Sequence, residues 1–355
     1  MFGPNSFLIC SLGSVLGLVL QRSKRTTLSA VARSNFEAVR KDGIEIQSTS
    51  PALEGEAPQA PTPASTALSF SYVVVATKVI AETKPPLVES LEPFIVPGKT
   101  TIVLIQNGVG IEDEIQARWP DNLVLTCVAY IPAIQAAPRL VTHSGALTFL
   151  CGPFHSNGSP ECSPHEKERI DTFVELCKLG GCITQTEYNH VYMQAHRWTK
   201  IAWNASWNAV TALADMDTAA YLSASTLSEP LVRRLMREVV LIARGLGIEI
   251  DPLEPDVLSP EESERIAKVL GRTGRMADML FNRLKGGLTI SSSTRSDVQA
   301  GRALEYEASD MLVIWGNPLK HAKRLGIDVP VLETVAVLIE AIDARSRGKV
   351  KVMIR

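Results

Sequence analysis

The stretch TTIVLIQNG, residues 100–108, is a run of β-branched and aliphatic residues without polar alternation, closed by Asn107-Gly108. A strand with water on one face alternates apolar and polar side chains with a period of two, so an unbroken run is the pattern of a strand covered on both faces. Three further segments read the same way: LSAVAR (28–33), SYVVVAT (71–77) and NLVLTCVAYI (122–131). Strands of this kind, separated by helix-like pieces, imply a parallel, doubly wound sheet. Ligands of such sheets lie at the carboxyl ends of the strands. Arg33-Ser34-Asn35, Lys78 and Asn107-Gly108 follow three of these runs.

Outward from that sheet, the 355 residues exceed what one core usually serves, and two domains are expected. The reading is an α/β Rossmann-type amino-terminal domain over 1–154, a linker over 155–165 and an all-α domain over 166–355. LVTHSGALTFLCGPF (140–154) reads as a hairpin closing the first domain, and TSPALEGEAPQAPTPASTALS (49–69), rich in Pro, Ala, Ser and Thr, as a flexible loop. After HSNGSPECSP (155–164) helices dominate. SPHEKERIDTFVELCKLGG (163–181) has a serine cap, a first-turn proline and a Gly-Gly stop, and SEPLVRRLMREVVLIARGLG (228–247) repeats that grammar. SPEESERIAKVL carries a capping box from Ser259 to Glu262. A further helix begins near Asp297 and is interrupted at Gly316-Asn317-Pro318; a final one follows Pro330.

Composition excludes several classes. At 45% hydrophobic and 21% charged, with a formal net charge of −2, the chain has no basic excess for nucleic acid or an anionic membrane. The six cysteines form no CxxC pair, which fits a reduced, cytoplasmic setting better than a disulfide framework. The apolar run Phe7–Leu20 has its basic cluster (Arg22, Lys24, Arg25) after it and not before it, and is too short to span a bilayer. It reads as a folded βα element.

WTKIAWNASWNAV (198–210) carries Lys200, Asn204 and Asn208 four residues apart in an otherwise apolar segment. On an α-helix such positions share one face, drifting about 40° per step. Asn is a poor helix former, so a polar cleft is favoured over a solvated stripe. At the end of the second strand, where an acidic residue would grip the ribose hydroxyls of NADH, stands Arg33, which suits the 2′-phosphate of NADPH.

Three stretches together, LIQNGVG (104–110), WTKIAWNASWN (198–208) and SSSTRSDVQAGRALEYE (291–307), resemble the signature stretches of the ketopantoate reductase family, NADPH-dependent 2-dehydropantoate 2-reductases. The order and spacing agree from about residue 8 to residue 343, and AVARSNFEAVRKDGIEI and WGNPLKHAKRLGIDVP are similar to fungal members. The resemblance implies that Lys200 protonates the C2 oxygen of a 2-keto acid as hydride arrives from the nicotinamide. It implies that Asn204 and Asn208 position the lysine and the substrate in a cleft between the domains. Glu305 would accept a hydrogen bond from a substrate hydroxyl, and Ser293 would donate to its carboxylate. Asn107 and Gly108 would sit near the nicotinamide ribose, with Arg33 and Lys78 near the adenosine phosphates. Ordinary structural roles compete: Glu305 could pair with Arg302 on a surface, and the serine run around Ser293 could simply cap the next helix. The single His196 beside an apolar helix reads as structural.

The family's opening GxGxxG is LICSLG here, with Leu8 and Cys10 in place of the first two glycines and Gly13 retained at the third. Both changes are expected to weaken grip on a pyrophosphate. Upstream, MFGPNS is a poor first strand, because Gly3 and Pro4 interrupt it. The leading expectation is NADPH-dependent reduction of a 2-keto acid, with ketopantoate to pantoate the default. A tailoring ketoreductase of fungal secondary metabolism and a non-catalytic relative are the alternatives. The expected partners are the small-molecule substrate and a second copy of the chain, as a homodimer; no metal is called for.

Overall fold

The computed structural model describes residues 5–8, 11–31, 36–53, 62–63, 69–78, 85–137, 139–145, 147–250, 292–301, 304, 313–346 and 348. Two compact units emerge: one from residues 1–78, 83–107 and 111–193, the other from 79–82, 108–110 and 194–355.

The strands of the first unit are β1 (Asn5–Leu8), β2 (Leu28–Val31), β3 (Glu45–Ser48), β4 (Thr62–Pro63), β5 (Tyr72–Val75), β6 (Thr101–Leu104), β7 (Val124–Tyr130), β8 (Ala133–Ala137), β9 (Leu140–His143), β10 (Thr148–Phe154) and β11 (Ile183–Thr186). Eight form one sheet in the order β11-β10-β7-β6-β5-β1-β2-β4. From β4 to β7 all pairs are parallel; β10 runs antiparallel to β7, and β11 parallel to β10. The four β-branched runs are the strands expected, and β5 and β6 are buried at every residue. The segment Asn5–Leu8, a poor strand by its composition, takes a central place between β2 and β5, because ladder partners on both sides outweigh weak local propensity.

The apolar run read as a βα element is one. Helix Ser11–Arg22 follows β1, with Gly13–Leu20 buried in the core beside Tyr72, Val74, Val103, Phe149 and Phe173. Helix Pro164–Leu179 packs on it at Gly180, where an added Cβ would lie 1.8 Å from the carbonyl oxygen of Val19. Among the described residues no helix is long and apolar enough to cross a membrane.

Three expectations need correction. The stretch 140–154 is not one hairpin: β9 joins β8 and β3 in a separate three-stranded sheet, whereas β10 matches β7 residue for residue from Thr148↔Tyr130 to Phe154↔Val124. The first unit does not stop near 154 either. Helix Pro164–Leu179, with its Ser163–Glu166 capping box, and β11, which covers the open edge of β10, belong to it, and it runs through Met193. Within 49–69, Pro51–Leu53 is a helical turn with Leu53 buried, and Thr62–Pro63 pairs with β2 as an edge strand, the place in a sheet where proline is tolerated. The sheet core holds Cys127 and Cys151 opposite each other on β7 and β10, with Cys177 and Cys182 also buried and every described cysteine free.

The described second unit is helical: His190–Trp203, continued by Asn204–Asn208 and Ala209–Ala214, then Thr218–Ala224, Ser228–Gly245, Ser293–Gln299, Gly316–Leu325 and Pro330–Ser346. Gly316-Asn317-Pro318 starts a helix where an interruption was expected, with proline in the first turn, where its missing N–H costs nothing. Glu238, almost fully buried, accepts from the N–H groups of Val331 and Leu332 (3.2 and 2.7 Å), capping the helix that begins at Pro330. The capping box at Ser259 lies outside the described residues.

Candidate active site

In the first unit the carboxyl edge of the sheet collects the ends of β1, β5 and β6. Lys78 follows β5 and Asn107 follows β6, and Gln106 ties the two loops by donating Nε2–H to the Thr77 carbonyl (2.6 Å). Helix Ser11–Arg22 starts just beyond β1, whose neighbours are β2 and β5, the position at which a doubly wound sheet binds a dinucleotide. Its first-turn amides suit a diphosphate through the helix dipole. Gly13 lies buried in that turn. This architecture fits a nicotinamide dinucleotide. Cys10 and Arg33 lie outside the described residues.

In the second unit the stripe sits on one continuous helix, but the helix is not uniform. Asn204–Asn208 is π-helical. From Lys200 to Asn204 an α-helix advances the side chain by roughly 40° past a full turn. An i to i+5 ladder winds more slowly, at roughly 4.4 residues per turn, so Asn204 to Asn208 falls about 30° short. The two errors nearly cancel, and Asn208 returns to the line of Lys200. A regular helix would leave it about 80° away. Single π turns recur at functional sites, where they re-aim side chains in this way.

The π turn is held from several sides. Ser206 and Thr211 hydroxyls donate to the carbonyls of Ala202 and Trp207, both at 2.7 Å, and the Trp315 indole donates Nε1–H to the carbonyl of Ala205 (3.0 Å). Trp203 and Trp207 rings lie 5.4 Å apart on the same segment. Lys200 is half-buried; Asn204 and Asn208 are 7% and 6% exposed. Among the described residues neither carboxamide has a hydrogen-bond partner, although buried amides ordinarily do. A cation and two carboxamides on one line suit an oxygen-rich anion.

Ser292, not Ser293, caps the next helix: its side chain accepts from Arg295 N (3.2 Å) and meets the Thr211 hydroxyl at 2.7 Å. That bond pins the helix one turn beyond Asn208 and leaves Ser293 exposed at the first helical position. Arg295 and Gln299 both bond Asp215 (2.9 and 2.7 Å) and hold its carboxyl below the usual range. Glu305 lies outside the described residues; the preceding Leu304 is fully buried and donates its N–H to Asp343 (3.0 Å). Burial pushes His196 down, toward the neutral ring of a structural histidine.

Gly108 has a reason of its own to be glycine. Its φ is +110°, and a Cβ there would lie 2.3 Å from the Val313 Cβ and 2.8 Å from the Val313 carbonyl oxygen. Sequence reasoning missed Arg197, buried one turn before Lys200 and donating to the Gly108 carbonyl. An arginine directly preceding the apolar segment that begins at Trp198 was the available signal.

Comparison with known proteins places this geometry. Residues 10–156 match the family model described as ketopantoate reductase PanE/ApbA, and residues 192–343 its carboxyl-terminal model. A 2-dehydropantoate 2-reductase of Nostoc sp. is 24% identical over 342 residues, covering 95% of this chain and 94% of the relative. An uncharacterized protein of Saccharomyces cerevisiae is 25% identical over 365 residues, covering 95% and 92%. The crystal structure of 2-dehydropantoate 2-reductase from Methylococcus capsulatus superposes with a TM-score of 0.73 at 25% identity, covering 98% of each chain.

Proposed function

Because the chain belongs to the ketopantoate reductase PanE/ApbA family, we propose that it reduces a 2-keto acid to the 2-hydroxy acid with NADPH, with 2-dehydropantoate to pantoate as the default reaction. The observation that carries this reading is the line of Lys200, Asn204 and Asn208, straightened by the π turn, with two buried carboxamides that bond no partner among the described residues. When bound, NADPH would supply the hydride that C2 of the substrate takes up. The chain's own residues do the rest. Lys200 donates a proton from Nζ to the C2 oxygen and offsets the charge developing there, a role typically worth about 10² to 10⁴ in rate. Asn204 and Asn208 orient the 2-keto carboxylate beside the lysine. Ser293 donates to that carboxylate, and Glu305 accepts from the substrate hydroxyl. The helix amides at Gly13 would hold the diphosphate, Lys78 and Arg33 the adenosine phosphates, and Asn107 the nicotinamide ribose. The working assembly is a homodimer in the cytoplasm.

Leu8 and Cys10 favour a second reading, a relative that keeps the fold with weakened dinucleotide binding. One experiment separates them: titration of the purified chain and of Arg33→Ala with NADPH and NADH by fluorescence, followed by assay with ketopantoate and other 2-keto acids. Arg33→Ala is expected to weaken NADPH at least about tenfold and NADH little, since only NADPH presents a 2′-phosphate. Equal losses remove the NADPH assignment. A parent that binds neither nucleotide and reduces no 2-keto acid puts the second reading first.

A further inference from the structure

The WGNP motif, residues 315–318, has no part in the chemistry above, yet its segment touches two sides of the second unit. The Val313 carbonyl accepts from Val109 N (2.9 Å), and Asn317 Nδ2 donates to the Val109 carbonyl (2.7 Å), so both backbone polar groups of Val109 are engaged. Between them Trp315, fully buried, reaches the other way and donates to Ala205 inside the π turn (3.0 Å). Arg197 joins the same two parts directly, from the helix to the Gly108 carbonyl.

We propose that Trp315 and Asn317 are positioning residues: they bracket the Gly108–Gly110 turn to the π turn and so fix Asn208 in line with Lys200. A π turn disrupts the regular ladder, and a buried carbonyl it displaces needs a donor from elsewhere. The indole N–H is that donor at Ala205. Without it, relaxation to a regular helix satisfies the carbonyl and swings Asn208 by roughly 70°, to about 80° off the line of Lys200. The proposal rests on the reductase reading for its kinetic consequence alone.

Trp315→Phe keeps the ring and removes the donor. Amide hydrogen exchange over residues 204–210 is expected to accelerate about tenfold or more, with helix Pro330–Ser346 unchanged. Unchanged exchange over 204–210 overturns the proposal, as does a uniform acceleration of both helices. In kinetics with a 2-keto acid, kcat/KM is expected to fall about tenfold, mostly through KM, and Asn208→Ala is expected to add little in the Trp315→Phe background, because both changes remove the same contact. Additive losses overturn it. Asn317→Ala, at a half-buried position, guards against misfolding of the tryptophan variant: it is expected to accelerate exchange at 108–110 and raise KM in the same direction, and no change at 108–110 refutes the bracket. If the parent reduces no 2-keto acid, the reductase reading fails while the exchange measurements still decide the bracket.

Discussion

Replacing Gly108 with alanine separates a close-packed glycine from a merely left-handed one. The new Cβ would stand 2.3 Å from Val313 Cβ and 2.8 Å from the Val313 carbonyl oxygen, at φ +110°. That carbonyl is backbone already committed to Val109 N, so it cannot swing aside as a side-chain tip would. Holding alanine in this region costs about 1–3 kcal/mol, and forcing atoms into packed space about 1–3 kcal/mol more, for a loss of about 2–6 kcal/mol centred near 4. Gly326 supplies the control. It ends helix Gly316–Leu325 in the same unit at φ +67°, with nothing within 4 Å of its added Cβ. Gly326→Ala is therefore expected to lose only about 1–2 kcal/mol, the left-handed penalty alone. Urea unfolding followed by tryptophan fluorescence measures both, because Trp198, Trp203, Trp207 and Trp315 all lie in that unit. Losses within about 1 kcal/mol of each other would refute the argument from close approach.

Lys200→Ala is expected to lower kcat and kcat/KM together by about 10² to 10⁴, since proton donation acts mainly in the transition state. A steady-state assay showing a change in KM alone would instead make the lysine a binding group. Glu166 gives a pH dependence. Burial pushes its carboxyl up, but the Ser163 amide and hydroxyl and the His155 ring together hold it below its ordinary value. A lowered carboxyl stabilises the fold fully above the ordinary carboxylate range and loses that contribution as pH falls through the lowered value. Glu166→Gln should flatten the acid limb of urea midpoints against pH, and an unchanged limb would contradict the assignment.

The sheet was legible because β2, β5, β6 and β7 are apolar runs whose burial on both faces leaves a direct mark in composition. β11, with the sequence ITQT, leaves no such mark: it is a short edge strand that exists because β10 needs a partner. The split between β9 and β10 was likewise invisible, since strand pairing is a long-range choice that a local turn pattern does not encode. The polar stripe was readable from four-residue spacing, whereas its π turn was not, because periodicity analysis assumes one winding throughout. Three consecutive serines could not say which one caps; the Thr211 contact selects Ser292. Trp315 and Asn317 stood in a noticed motif, but their partners lie more than a hundred residues away in sequence.

The placement of sulfur gives the protein an internal reporter. Every cysteine precedes residue 183, and the second unit's carboxyl-terminal stretch from 194 has none. Burial raises the thiols of Cys177 and Cys182, the latter to about 12; the hydrogen bond that the Cys151 thiol donates to its neighbour Cys127, then burial, raises that of Cys151. Partly exposed Cys162 is pushed up to about 11 by burial and the nearby Glu166 and Asp171. Thiolate is the reactive species, so these described thiols are nearly silent toward alkylating reagents while the sheet is closed. Alkylation of Cys127, Cys151, Cys177 and Cys182 therefore clocks the opening of the dinucleotide-type unit alone, and its slowing on addition of NADPH would reveal binding there even when no substrate is known.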